Sequence, residues 1–385
     1  MNVYIHGVGM SRFGKQPDTP LATLAWQAVE EAIADADRDG PDRYDNRFDA
    51  VFVGSVFGAP GVAQRVLHGL GISGPPVLTI ENACASGTSA FHEAVTAVAS
   101  GRFDRVLVLG IEQLSTVFRG PILPEDSDPE GRAGLALPAL YALAATRWLY
   151  EGRVTLDQLA AVSVKNHAHA KHNDKAQYGG DYSIAEVLAS KPIADPLTLL
   201  QCSPISDGAA AAIVGGPRGV AGDVRVRASV HQTGGLWDHR SPNVWGYQLV
   251  RDTAQRLYQT SGVNPEDIDV CEMHDAFTIG ELVTTEALGL TGEGEAGPAA
   301  LAGRTGLGGS LPINPSGGLL SRGHPLGATG VAQIAEITWQ LRGQAGARQV
   351  PGPRLGLVET MGGGVSGTDG NACVLVLLEA THPTR

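Results

Sequence analysis

The sequence predicts an α/β protein made of two halves of similar order fused in one chain. Two observations carry this. Apolar runs of strand length alternate with helical spacings in each half, and the order of the first half returns in the second. In addition, Cys84 and His324 each stand three positions before a glycine that opens a helix, so the two residues are expected at equivalent places in the two halves. At 385 residues the chain also exceeds the roughly 250 to 300 at which single cores stop growing. The expected division is 1–219 and 220–385, with an insertion at about 114–200 in the first half.

The first half opens with a strand at Val3–Val8. A helix over Leu21–Ala36 puts Leu21, Leu24, Ala28, Ala32 and Ile33 on one face. A strand at Phe48–Val53 ends at Gly54, and a glycine-rich turn leads into a helix through Val66. A short strand follows at Val77–Ile80, with Cys84 directly after it. Ser86–Ala99 has helical spacing, and Arg105–Gly110 is a continuous apolar run of the kind buried on both faces. Ala209–Val214 closes the half.

The insertion differs in composition. It holds Pro121, Pro124 and Pro129, an acidic patch from Glu125 to Glu130, and a His-rich stretch, Lys165–His172. Long insertions of this kind build substrate sites or subunit contacts. The second half reads as helices at Tyr247–Ser261, Glu281–Leu288 and Gly330–Leu341, with strands at Ile268–Met273, Arg354–Glu359 and Ala372–Leu378.

Composition narrows the function. The chain is 43% hydrophobic and 18% charged, as a globular enzyme is. Its net charge of -12, with no dense Lys/Arg run, argues against nucleic acid as a partner. The four cysteines make no CxxC pair, so neither a metal site nor a disulfide framework is expected, and a reducing cytoplasm fits. The N-terminus lacks a signal-peptide pattern, and no apolar stretch has the length of a membrane span.

Four segments can carry chemistry. Cys84 lies between a strand and a helix, where the helix dipole and unpaired amides favour the thiolate. Its own amide faces the place where a thioester oxyanion would form. Taken alone, the residue reads equally well as core. His324 sits in a glycine-rich loop that begins Asn314-Pro-Ser-Gly-Gly, a plausible base for a thiol. His274 ends an apolar strand, where open α/β sheets build their sites, and can donate to an oxyanion. The run from Thr360 to Gly367 follows a strand; it lacks the Lys of a phosphate loop, so its backbone amides are the functional candidates.

Together these segments resemble the thiolase superfamily over nearly the whole chain. Gly54-Ser-Val, the Cys84 segment, Ser206-Asp-Gly-Ala-Ala-Ala, His274-Asp-Ala-Phe, Gly323-His-Pro and the terminal Gly-Gly-Gly occur in the family's order. The His-Asp-x-Phe form, acetyl-CoA acetyltransferase-like, is similar to the sterol-carrier-protein and archaeal-type branches. The resemblance implies two βαβαβαββ halves in a five-layer α-β-α-β-α arrangement, with the insertion as a loop domain. It implies Cys84 as the acylated nucleophile, His324 as its activator, and His274 in the oxyanion hole for the second thioester. The amides of Cys84 and Gly362 form the hole for the acyl-enzyme. Coenzyme A thioesters are the implied substrates, with no permanently held cofactor. The implied setting is a homodimer or dimer of dimers in lipid metabolism, with a small zinc-ribbon/OB-fold acyl-CoA-binding protein as a further partner.

One departure stands out. Relatives carry a second thiol at one of two positions, and these are Thr360 and Ala276 here. A threonine hydroxyl is too weakly acidic to replace a thiol unaided. The Cys-His-His set also resembles decarboxylating ketoacyl synthases, which leaves three readings open: Claisen condensation or thiolysis, transfer to another acceptor or decarboxylative condensation, and a partner-dependent, non-catalytic homologue.

Overall fold

The computed structural model describes residues 2–38, 47–122 and 127–381. Pro124 of the insertion, and Glu125 and Asp126 of its acidic patch, lie outside these residues. The main sheet contains β1 (Val3–Met10), β2 (Ala50–Gly54), β3 (Val77–Ile80), β4 (Arg105–Gln113), β5 (Asp207–Gly215), β6 (Val224–Gln232), β7 (Val270–Glu272), β8 (Leu355–Gly362) and β9 (Ala372–Ala380). Their spatial order is β3-β2-β4-β5-β1-β6-β9-β8-β7.

That order contains the duplication. Counted within the first half, the strands run third, second, fourth, fifth, first, with only the fifth antiparallel to its neighbours. The second half runs second, fourth, fifth, first in the same senses. Its missing third strand survives as a parallel bridge between Ile313 and Cys271. The two halves join edge to edge where β1 pairs with β6, Val3 opposite Val226 and Ile5 opposite Val224.

The long helices are α1 (Leu21–Asp37), α2 (Val62–Gly69), α3 (Ser86–Ala99), α4 (Leu137–Tyr150), α5 (Leu156–Ala170), α6 (Tyr247–Ser261), α7 (Thr278–Ala287) and α8 (Leu326–Leu341). α1 covers the outer face of the first half's strands and α6 that of the second, while α3 and α8 lie side by side between them. This is the expected five-layer arrangement. Strand periodicity builds it: Val106 and Val108 of β4 face the central helices, whereas Leu107, Leu109 and Ile111 face the outer layer. In β9, Val374 and Val376 face the central helices, and Cys373, Leu375 and Leu377 face outward.

Two features escaped the sequence reading. β6 alternates Val with Arg and carries half-exposed positions, so it lacks the apolar run that marked the other strands. The insertion contains the full helices α4 and α5, and its His-rich stretch is mostly the last turns of α5. There His169 is buried, its Nδ1 3.0 Å from Asn314 O and its Nε2 accepting from Leu307 N at 3.0 Å. Through these two bonds His169 joins the insertion to the second half.

α3 and α8 meet through backbone. A Cβ added at Gly87 would lie 2.5 Å from Gly327 O, and one at Gly327 would lie 2.5 Å from Ile111 O and 2.6 Å from Gly54 O. We expect Gly327→Ala to lower the unfolding free energy by about 1 to 3 kcal/mol, the usual cost of overpacking. It would appear as a lower urea midpoint; an unchanged midpoint would show that the contact can widen freely.

Candidate active site

Cys84 sits on a sharp turn between β3 and α3. Ala83 takes φ 49, in the left-handed region, and the turn is closed by Ala85 N donating to Asn82 O at 3.0 Å. Ser86 supports it from below, accepting from Asn82 N at 2.9 Å and donating to Ala83 O at 2.6 Å. The helix starts at Ser86, two residues beyond the thiol.

His324 occupies the matching turn of the second half, two residues before α8. Gly323 has φ +111 and lies so close to Ser206 Oγ that a Cβ would fall at 2.8 Å. Ser206 Oγ accepts from His324 N at 2.9 Å. On the ring, Nδ1 is 2.7 Å from Thr329 Oγ1, which donates to Pro325 O at 3.0 Å. This assigns the ring proton to Nδ1 and leaves Nε2 as acceptor, 3.3 Å from Cys84 Sγ.

His274 completes the group, its ring centroid 5.2 Å from that of His324. Its backbone N donates to Glu359 Oε2 at 2.8 Å, and its Nε2 is buried with no partner among the described residues. Ligand atoms of Cys84, His274 and His324 all lie within 4.8 Å of one another, a set that could also hold a metal ion; His92, Glu93 and His231 form a second such set. The structure therefore brings together the three residues singled out in the sequence.

Electrostatics amend one expectation. Burial pushes the Cys84 thiol up to about 12, with the carboxylates of Glu112 and Glu81 adding to the shift. Burial lowers His274 to about 4, and burial followed by the neighbouring His274 and Arg322 holds His324 well below its usual value. The resting pair is a neutral thiol facing a neutral imidazole, not the thiolate expected from the helix dipole. Desolvation outweighs a helix that begins two residues away.

These residues open into a cavity of about 250 Å³. Its walls are mainly apolar, with Leu114, Ile122, Leu137, Tyr141, Trp245, Phe277 and Leu326 prominent; Leu137 and Tyr141 come from α4 of the insertion. Ala276 is a wall residue and leaves its position without an acid or base. Thr360 is fully buried at the end of β8, where its hydroxyl donates to Gln333 Oε1 at 2.6 Å. Gly362 packs against the Cys84 turn, since a Cβ there would lie 2.0 Å from Asn82 O, while Gly363 lines the cavity. Cys271 and Cys373 are buried and do not line it.

Several supporting residues were missed in the sequence. Cys202 lines the cavity, its Sγ donating to Thr198 O at 3.3 Å. Glu112 accepts from Val56 N, Phe57 N and Gly327 N at 3.0, 3.1 and 3.1 Å, clamping β2, β4 and the start of α8. An acid at the end of an otherwise apolar strand was the available signal. Asn314 takes φ 54 and bridges Met273 N at 2.9 Å to Glu281 Oε2 at 2.8 Å.

The chain is similar to known proteins over nearly its whole length. Residues 3–216 match the family described as thiolase, N-terminal domain, and residues 225–377 match thiolase C-terminal domain-like. An acetyl-CoA acetyltransferase of Methanothermobacter thermautotrophicus is 39% identical, over 97% of this chain and 98% of its own. Sterol carrier protein 2 of Oryctolagus cuniculus is 36% identical, over 99% of this chain and 72% of its own. Among solved structures, a chain of an "Ltp2-ChsH2(DUF35) aldolase" superposes with a TM-score of 0.81 at 25% identity, covering 98% of each chain.

The raised thiol gives a direct expectation. Because the folded Cys84 lies above the ordinary thiol value, its thiolate fraction at neutral pH is small and grows with pH. The rate of Cys84 alkylation by iodoacetamide should climb continuously from pH 6 to pH 9. A plateau below pH 7.5 would instead reveal a resting thiolate–imidazolium pair.

Proposed function

We propose that this chain, which belongs to the thiolase family and is an acyltransferase, carries its acyl group as a thioester on Cys84 drawn from an acyl-coenzyme A. The observation that carries the reading is Cys84 Sγ at 3.3 Å from the acceptor Nε2 of His324, in a largely apolar cavity. His324 takes the thiol proton as sulfur attacks the thioester carbonyl, then returns it to the departing coenzyme A sulfur. The amides of Cys84 and Gly362 are the proposed donors to the oxyanion.

The second step is Claisen condensation or its reverse, thiolytic cleavage of a 3-ketoacyl-CoA. In the condensing direction an α-proton leaves the second acyl-CoA, the enolate attacks the acyl carbonyl, and the Cys84 sulfur departs and is protonated. Thr360 is committed to Gln333 and Ala276 has no proton to exchange, so neither position supplies the base. The reading gives His274 the second thioester, supported by an Nε2 without a partner among the described residues and by burial that keeps the ring neutral at physiological pH. A decarboxylating reaction would need no such base, and incorporation of deuterium from D2O at the α-carbon of acetyl-CoA separates the two.

The likeness to a chain from a DUF35-containing assembly supports a further reading, in which a small acyl-CoA-binding protein completes the nucleotide end of the site. We place the enzyme in the cytoplasm as a homodimer. β3 supports the dimer as an edge strand whose Leu78 is 44% exposed.

Exposure to a panel of acyl-CoAs should add one acyl mass to the intact wild-type protein and none to Cys84→Ala. His324→Ala should slow acylation by about 10² to 10⁴, the usual contribution of a general base. No adduct on wild type, or an adduct that persists without Cys84, refutes the thioester.

A further inference from the structure

The missing second thiol leaves a gap in the chemistry, and the insertion supplies a polar side chain to the same cavity. Tyr141 lies on α4, outside every motif singled out in the sequence, and lines the cavity together with Cys84, His274 and His324. Its ring is clamped, with its centroid 4.5 Å from that of Phe277 and 5.7 Å from that of Trp245. The residue is 8% exposed, yet its hydroxyl has no hydrogen-bond partner among the described residues. A buried phenol normally finds a partner, so a hydroxyl left open toward a cavity is available to what enters it.

Resting on the acyl-Cys84 reading above, we propose that the Tyr141 hydroxyl donates a hydrogen bond to the thioester oxygen of the second acyl substrate and so stabilises its enolate. Burial, followed by the nearby Cys84 and Glu359, holds this phenol well above its ordinary value. Tyr141 is therefore a donor that keeps its proton, not a base. The charge that develops on the thioester oxygen when the α-proton leaves is what such a fixed donor in an apolar wall favours. With the oxygen held by Tyr141, the bare Nε2 of His274 is free to receive the α-proton. The C–H electron pair becomes the enolate, and no other proton moves.

Cys202, the other cavity thiol, is less suited because its S–H is directed to Thr198 O. Its own value is also pushed up to about 12 by burial.

The test separates the two half-reactions in Tyr141→Phe, which keeps the clamped ring and removes only the hydroxyl. Acylation of Cys84, followed by intact mass, should stay within about threefold of wild type. Exchange of α-hydrogen of acetyl-CoA in D2O should fall at least tenfold, as when one oxyanion donor is removed. The pH profile of exchange should keep its shape, since Tyr141 does not titrate. Tyr141→Leu, which also removes the ring, should weaken both half-reactions. Exchange in the Phe variant within twofold of wild type overturns the assignment and leaves Tyr141 a wall residue. Wild type that acylates Cys84 but exchanges nothing overturns it while sparing the thioester. A wild type that takes no acyl group on Cys84 sinks both.

Discussion

The site depends on a contact without side chains. Where α3 and α8 enter the centre of the molecule, Gly54, Gly87, Gly110 and Gly327 let backbone meet backbone, with hypothetical Cβ atoms falling 2.4 to 2.6 Å from the atoms opposite. Each helix carries its reactive residue two positions before its first turn. The closeness of the helices therefore sets the closeness of Cys84 and His324. A methyl group at this crossing would fall within 2.4 to 2.6 Å of the opposing backbone, so the two helices would have to move apart to hold it.

Around that crossing the protein holds its turns with buried charge. Glu112 binds three amides from two chain segments, and burial still pushes it up to about 7 against their pull. Behind His274, Asn166 of α5 donates to Asp275 and to Glu281, while Lys165 pairs with Glu281 at 2.9 Å. Arg322, fully buried beside the His324 loop, pairs with Glu272 at 3.0 Å. Removing a single member would strand its partner in low dielectric, a cost of about 3 to 5 kcal/mol for a buried pair. The insertion thus forms part of the site's foundation as well as its roof.

The strands and helices marked by uniform apolar runs or clear helical spacing were legible in the sequence, as were Cys84, His274 and His324. Those three stand at strand ends and helix starts, His324 inside a glycine-rich loop. β6 was not legible, because a strand with one half-exposed face mixes Arg and Ser among its valines. Glu112, Thr329 and Tyr141 were missed for another reason. Each is an ordinary residue of its element, and its role comes from a partner the local pattern does not show: Gly327, 215 positions away, for Glu112; Trp245 and Phe277 of the second half for Tyr141; and His324, five positions back, for Thr329. The thiol's ionisation was misjudged because a dipole can be read from sequence order, whereas desolvation requires knowing what lies overhead.

The repeated strand order has a last consequence. Cys84 and His324 hold corresponding turns in two copies of one architecture, joined through β1 and β6. Two separate, identical subunits in that arrangement would present the same side chain from both sides, thiol against thiol or imidazole against imidazole. Fusion of the copies in one chain lets the corresponding positions differ. The price of that asymmetry is multiplicity: the two equivalent turns together bring one thiol to one imidazole.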